Sequence, residues 1–121
     1  MGPIAITAHL TRGSSRGCTS WSFPVRDGER VLNVVSVCSL TRSGGGIRYP
    51  EQDADIERSV GVLRRLPADI WVTDRSLTWG RFRKFDESRS AKDPVKPFLD
   101  HGGYLAYIDA GEGELRNRTV H

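Results

Sequence analysis

The chain has little of what usually announces a function. Two cysteines and three histidines in 121 residues are too few, and too far apart, for a disulfide framework, a zinc knuckle or a short-range metal motif. Neither sign of charge dominates: 18 Lys and Arg against 15 Asp and Glu leave a net charge of +3, with the arginines scattered among the acids. That pattern describes a solvated surface and gives no electrostatic footprint for nucleic acid. No apolar run approaches the ~18–20 residues of a membrane span. No leader pattern opens the chain, since Met1-Gly2-Pro3 runs straight into a strand-like segment, and Gly2 lacks the downstream hydroxyl that myristoylation prefers. These absences together lead to the expectation of a soluble, cytoplasmic protein with no nucleic-acid or membrane partner.

Enzyme signatures are scarce as well. Gly13-Ser14-Ser15-Arg16-Gly17 has G-x-S-x-G spacing around Ser15, but it precedes a strand where a nucleophile elbow must precede a helix. Ser43-Gly44-Gly45-Gly46 lacks the spacing and the lysine of a phosphate-binding loop. Cys18 and Cys38 lie in apolar runs. They could approach each other across a hairpin, but each is expected to be a free, small hydrophobe.

What is present describes a folded unit. The apolar fraction is 37%, with three Trp, four Phe and three Tyr, enough for a core in one domain spanning residues 1–121. Ile4 to Leu10 reads as a strand. Thr19, Trp21, Phe23 and Val25 alternate with Ser20 and Ser22, as a second strand with one apolar face does. Asp27-Gly28 signals a tight hairpin. The returning strand, Val31 to Val37, is almost continuously apolar, which predicts that both its faces are covered. Pro50 and the acids Glu51, Asp53 and Asp55 open a helix whose Ile56, Val60 and Leu63 share one face, and Pro67 ends it. Ile70-Trp71-Val72 reads as a short buried strand. Arg81 to Ala91 is expected to be helical with Phe82 and Phe85 turned inward. Asp100 caps a last helix carrying Tyr104, Tyr107, Ile108 and Leu115 on one face, its end frayed by Gly111 and Gly113. The order β, β-hairpin, α, β, α, α predicts an α/β fold with one mixed sheet and helices on one face.

With the elements placed, the segment Ala8-His9-Leu10-Thr11-Arg12-Gly13-Ser14-Ser15-Arg16-Gly17-Cys18-Thr19-Ser20-Trp21 resembles the A-H-L-T-P-G-H-T-x-G-C-T-T-W stretch of subclass B3 metallo-β-lactamases. The likeness continues through Tyr49-Pro50, Asp55 to Ser59, Leu63 to Asp69, Pro97 to Asp100, Gly103-Tyr104 and Tyr107. The resemblance implies the C-terminal half of an αββα sandwich, in a family that is exported to the periplasm. That family holds two zinc ions between its halves, with an H-x-H-x-D-H cluster in the first half and one further histidine per zinc in the second. This sequence contains no H-x-H-x-D-H. The two second-half histidines fall on Ser14 and on Arg75, within Thr73-Asp74-Arg75-Ser76. A serine hydroxyl is a poor zinc ligand at neutral pH, and a guanidinium cannot ligate and repels a dication. The resemblance also places Ser39 and Thr41, in Cys38-Ser39-Leu40-Thr41, where the family contacts the substrate carboxylate.

The expectation is therefore a truncated, degenerate metallo-β-lactamase-like domain with no catalytic residues of its own, no metal site, and Ser39 and Thr41 as vestigial substrate contacts. A sheet made to face a second sheet is expected to recruit a homodimeric partner or a complementing half-domain. Two rival readings stand beside it. One is a homodimeric module that holds a small anion at the former active-site mouth with Arg75, Ser39 and Thr41. The other is a zinc hydrolase with relocated ligands or a separate first half.

Overall fold

The structure, a computed structural model, describes residues 4–40, 48–75 and 77–119. Four strands, β1 (Thr7–Leu10), β2 (Thr19–Asp27), β3 (Arg30–Val37) and β4 (Ile70–Thr73), form one sheet in the order β1-β2-β3-β4. The first three run antiparallel as a meander, and β4 joins β3 in parallel. A parallel neighbour demands a crossover, which α1 (Gln52–Arg64) supplies. Two more helices follow, α2 (Arg81–Ser90) and α3 (His101–Thr119), separated by a short 3-10 turn at Lys96–Phe98. The mixed α/β sheet and the order of its elements are those read from the sequence. β1 is three residues shorter than expected at its start.

The hairpin is shifted by one residue from its sequence signal. Asp27 stays in β2 and pairs with Arg30, so the two turn residues are Gly28 and Glu29. Only Gly28 takes a positive φ, 62°, which fits a turn with glycine first. The resulting register sets Trp21 opposite Ser36, Phe23 opposite Val34 and Val25 opposite Leu32. Residues directly opposite share a face.

One face of the sheet is the core. Val35 and Val37 of β3 and Trp71 of β4 pack with Ile56, Val60 and Leu63 of α1 and with Tyr104, Ile108 and Leu115 of α3. Each fully buried aliphatic side chain contributes at most roughly 1.5–3 kcal/mol. The Trp71 ring stacks on Tyr107 at 5.3 Å and meets Tyr104 edge-on at 6.3 Å. The buried Tyr104 hydroxyl donates to the Leu63 carbonyl at 2.6 Å, tying α3 to the end of α1. Burial pushes that phenol's pKa well up.

The opposite face carries Trp21, Phe23 and Val25 of β2, Leu32 and Val34 of β3, and Ile70 and Val72 of β4. None of these residues belongs to the core cluster of the helix side. β3 is covered on both faces, as expected: Leu32 and Val34 are buried on this side and Val35 and Val37 on the other, while Trp21 and Val25 of β2 remain exposed.

Two helices correct the sequence reading. In α2, Phe82 and Phe85 point outward, and Lys84 is the buried residue. Lys84 turns in because its ammonium meets Asp100 at 2.9 Å and lies near the Trp71 and Trp79 rings, at 5.4 and 5.7 Å. A paired cation over aromatic faces wins over two phenylalanines. Phe85 keeps only an edge contact with Phe98, at 5.0 Å. In α3, Gly111 and Gly113 do not end the helix, which runs to Thr119. Gly111 lies so close to Leu40 that a Cβ there would come within 3.1 Å of its side chain, so this glycine permits a close packing contact. Among the described residues no helix is long and apolar enough to cross a membrane.

Candidate functional site

Strand directions decide which loops meet. β2 begins where β3 ends, because the two are antiparallel, and β3 and β4 end together, because they are parallel. The loop between β1 and β2, the segment after β3 and the segment after β4 therefore lie at one end of the sheet. Those three segments carry Ser14, Ser39 and Arg75.

The first loop is firmly held. The Thr11 and Ser20 hydroxyls are buried and 2.7 Å apart. Gln52 donates to the Gly13 carbonyl at 2.8 Å, and Ser59 donates to the Arg12 carbonyl at 2.7 Å. α1 thus fixes the loop through polar side chains, and a Cβ at Gly13 would press to 3.1 Å from Ile56. Across the sheet end, the Ser14 hydroxyl donates to the Ser39 carbonyl at 3.0 Å.

Beside these bonds the structure corrects the free-cysteine expectation. Cys18 and Cys38 form a disulfide with a Cα–Cα distance of 5.7 Å, within the usual bridging range. The cause is register: the hairpin that pairs Trp21 with Ser36 brings the start of β2 against the end of β3.

Arg75 is exposed just past the end of β4, and its carbonyl closes a turn by accepting from the Thr78 amide at 3.0 Å. Ser14 and Ser39 are in contact, whereas Arg75 shares their end of the sheet with no recorded bond to either. Thr41, the loop at Ser43 to Gly46 and His121 lie outside the described residues. The other histidines are engaged elsewhere. His9 bonds the Ser22 hydroxyl through Nε2 at 2.7 Å, and His101 donates from Nδ1 to the Ala68 carbonyl at 2.7 Å.

A further group near this end was not singled out in the sequence. Tyr49 donates to the buried Asp55 carboxylate at 3.0 Å, and Arg58 also pairs with Asp55. Burial and the bond to Asp55 push the Tyr49 phenol up. For Asp55, burial pushes upward, but the bonds from Tyr49 and Arg58 prevail and hold the carboxyl below its usual value. Arg16 lies over the Tyr49 ring at 5.0 Å and bonds Glu51 at 3.0 Å. Arg12, Arg58, Leu10 and Val62 border an open cavity of about 250 Å³ next to Asp55. Tyr49-Pro50 and Asp55 to Ser59 carried part of the family resemblance, but the acidic opening of α1 reads equally well as ordinary dipole compensation and gave no sign that these residues meet.

These residues do not fit zinc. Among the described residues no three His, Cys, Asp or Glu side chains gather closely enough to hold a metal ion. Ser14 presents a hydroxyl whose proton is given to Ser39, and Arg75 presents a permanent cation.

No known family profile matches the chain. Solved structures do. The Rm3 metallo-beta-lactamase matches with a TM-score of 0.83 and 27% identity, over 98% of this chain and 46% of its own. A mutant of the FEZ-1 metallo-beta-lactamase from Legionella gormanii gives 0.87 and 26%, over 98% and 46%. BJP-1, a subclass B3 metallo-beta-lactamase of Bradyrhizobium japonicum, gives 0.82 and 25%, over 99% and 46%. The chain thus spans about half the length of the solved structures it matches. In fold, and along nearly its whole length, it corresponds to about half of a subclass B3 metallo-β-lactamase.

Proposed function

We propose that this chain is a degenerate half-domain of the metallo-β-lactamase kind that carries out no zinc-dependent hydrolysis on its own. One observation carries the reading: the two positions that resemble the family's second-half ligands hold a hydroxyl already bonded to the Ser39 carbonyl and an exposed guanidinium. Zinc lowers the pKa of its bound water to about 7 only when a ligand set holds it. The test is zinc content after equilibration with zinc and dialysis, together with turnover of a chromogenic β-lactam. The expected result is less than about 0.1 zinc per chain and no turnover above buffer. One or two tightly held ions per chain would overturn the reading and favour a hydrolase with relocated ligands. The Cys18–Cys38 bond supports an oxidising compartment, where such bonds persist.

A second reading, an anion-binding module at the same sheet end, is favoured by the exposed cation Arg75 there. Arg75 and Arg12 are exposed, and Arg12 and Arg58 border the 250 Å³ cavity. Here Arg75 supplies fixed positive charge, with Ser39 and Thr41 as hydroxyl donors. Inorganic phosphate and small dicarboxylates at millimolar concentration should then raise the melting temperature, and Arg75→Ala should abolish that rise. A shift that survives the substitution would rule out this use of Arg75.

A further inference from the structure

The sheet face opposite the core helices is the largest unexplained feature among the described residues. Leu10 is 55% exposed, Trp21 44% and Val25 37%. In register they sit with Ala8, Phe23, Leu32, Val34, Ile70 and Val72 on a single face. The charges on that face are confined to the hairpin end, where Arg30 pairs with Asp27 at 2.6 Å and with Asp93 at 2.9 Å. Strands of 4, 9, 8 and 4 residues, at ~4.8 Å spacing and ~3.3 Å per residue, project about 400 Å² of mostly apolar surface, within the ~300–600 Å² of the largest patch on a typical monomer.

We infer that a second copy of this chain covers this face, packing sheet on sheet about a two-fold axis parallel to the strands. The inference deepens the half-domain reading by naming its partner, and it rests on that reading. The face is self-complementary under this operation. β2 and β3 are the two central strands, so such an axis lays β2 of each copy across β3 of the other. Trp21 is level with Ser36, and Phe23 with Val34. Trp21 and Phe23 therefore lie over the smaller Ser36 and Val34 of the second copy's β3, Val25 lies over the larger Leu32, and the reverse contacts repeat across the axis. Large-on-small interdigitation is how two sheets fill the ~10 Å between them. Away from the hairpin end the face is uncharged, so meeting itself there brings no like-charge repulsion. The corrugated accessible area of two such faces exceeds their projection of about 800 Å² and approaches the ~1,200 Å² lower bound of a stable interface.

The experiment is sedimentation equilibrium of the full chain across roughly 1–100 μM, with three variants. Wild type is expected at about twice the monomer mass of 13.5 kDa. Trp21→Arg and Val25→Lys place a charge on the apolar face, at positions exposed enough in the monomer for it to stay folded by far-UV circular dichroism. Each should weaken the dimer at least ~10-fold, as loss of a central aromatic or a buried charge does. Phe82→Arg, at an exposed phenylalanine on α2, should leave the mass unchanged. A wild-type monomer throughout would overturn the proposal, including one that captures a separately produced first half of a metallo-β-lactamase. So would a dimer that Phe82→Arg dissociates and Trp21→Arg does not. Zinc content and mass are independent readouts, so a zinc-loaded dimer would refute only the degenerate-half reading, and a zinc-free monomer only this one.

Discussion

Replacing Asp100 with alanine is expected to cost about 4 kcal/mol of stability, roughly 3 from stranding the buried Lys84 charge and about 1 from losing a helix cap. Asp100 serves three elements at once. Its Oδ2 accepts from Lys84 at 2.9 Å and from the Trp71 indole at 3.1 Å, and its Oδ1 accepts from the Gly103 amide at 3.1 Å at the start of α3. Lys84 is 1% exposed, so its ammonium has little water to turn to when the carboxylate is gone. Lys84→Met should cost far less, because a flexible apolar chain replaces the cation and the remaining carboxylate is 30% exposed. The double variant should be more stable than Asp100→Ala alone, since it leaves no orphaned charge. Urea unfolding monitored by tryptophan fluorescence measures all three. A double variant less stable than the single would show that Lys84 contributes chiefly as packing.

The same carboxylate sets an acid limit and inverts a familiar glycine rule. Burial pushes the Asp100 carboxyl upward, but the bonds from Lys84 and Trp71, the Lys84 charge and the Gly103 amide outweigh it and hold the carboxyl below its usual value. A folded pKa below the unfolded one, ~3.9, means that the contribution is complete above that pH and is lost as pH falls through the folded value. Asp100→Ala should therefore flatten the loss of stability below about pH 4. Gly→Ala in a helix normally gains up to ~1 kcal/mol. Gly102→Ala, with open space around it, should follow that rule. Gly103→Ala should reverse it, because the new methyl would collide with the Asp100 carboxylate.

The sequence made the strands and the core helix faces legible because their signals are local. Alternation in Thr19 to Val25 and the spacing of Ile56, Val60 and Leu63 report which side chains point together. They do not report what lies across from them. The serines of β2 proved to line the helix side, with Ser20 fully buried against Thr11, and the apolar alternation marked the open face instead. Lys84 was illegible for a related reason: the pattern of α2 favours its phenylalanines, and only tertiary contact with Asp100, Trp71 and Trp79 reverses the choice. At the sheet end, residue types alone gave the expectation that Ser14 and Arg75 are poor zinc ligands. The bond from Ser14 to the Ser39 carbonyl, and the Tyr49–Asp55–Arg58 cluster beside it, needed the fold.

Reducing the Cys18–Cys38 disulfide should cost about 3 kcal/mol by the chain-entropy relation, for a sequence separation of 20 residues. The hairpin already encoded the bond: a turn at Gly28 and Glu29 pairs Trp21 with Ser36, and continuing that register beyond the strands brings residue 18 close to residue 38. Its structural effect is local. The bridge closes the loop that bears Ser14 onto the segment that bears Ser39, while Gln52 and Ser59 hold the loop's other side. Reduction should therefore leave the α1–α3 core intact and open the sheet end first. The urea midpoint should fall with added dithiothreitol, and Cys18→Ser should fall as far without reductant. Hydrogen exchange should quicken in residues 11–18 before it does in α3. The denatured, unreduced protein should show no reactive thiol. Two free thiols per chain, or an unchanged midpoint on reduction, would mean that the loop is held by its polar bonds to α1 and Ser39 alone.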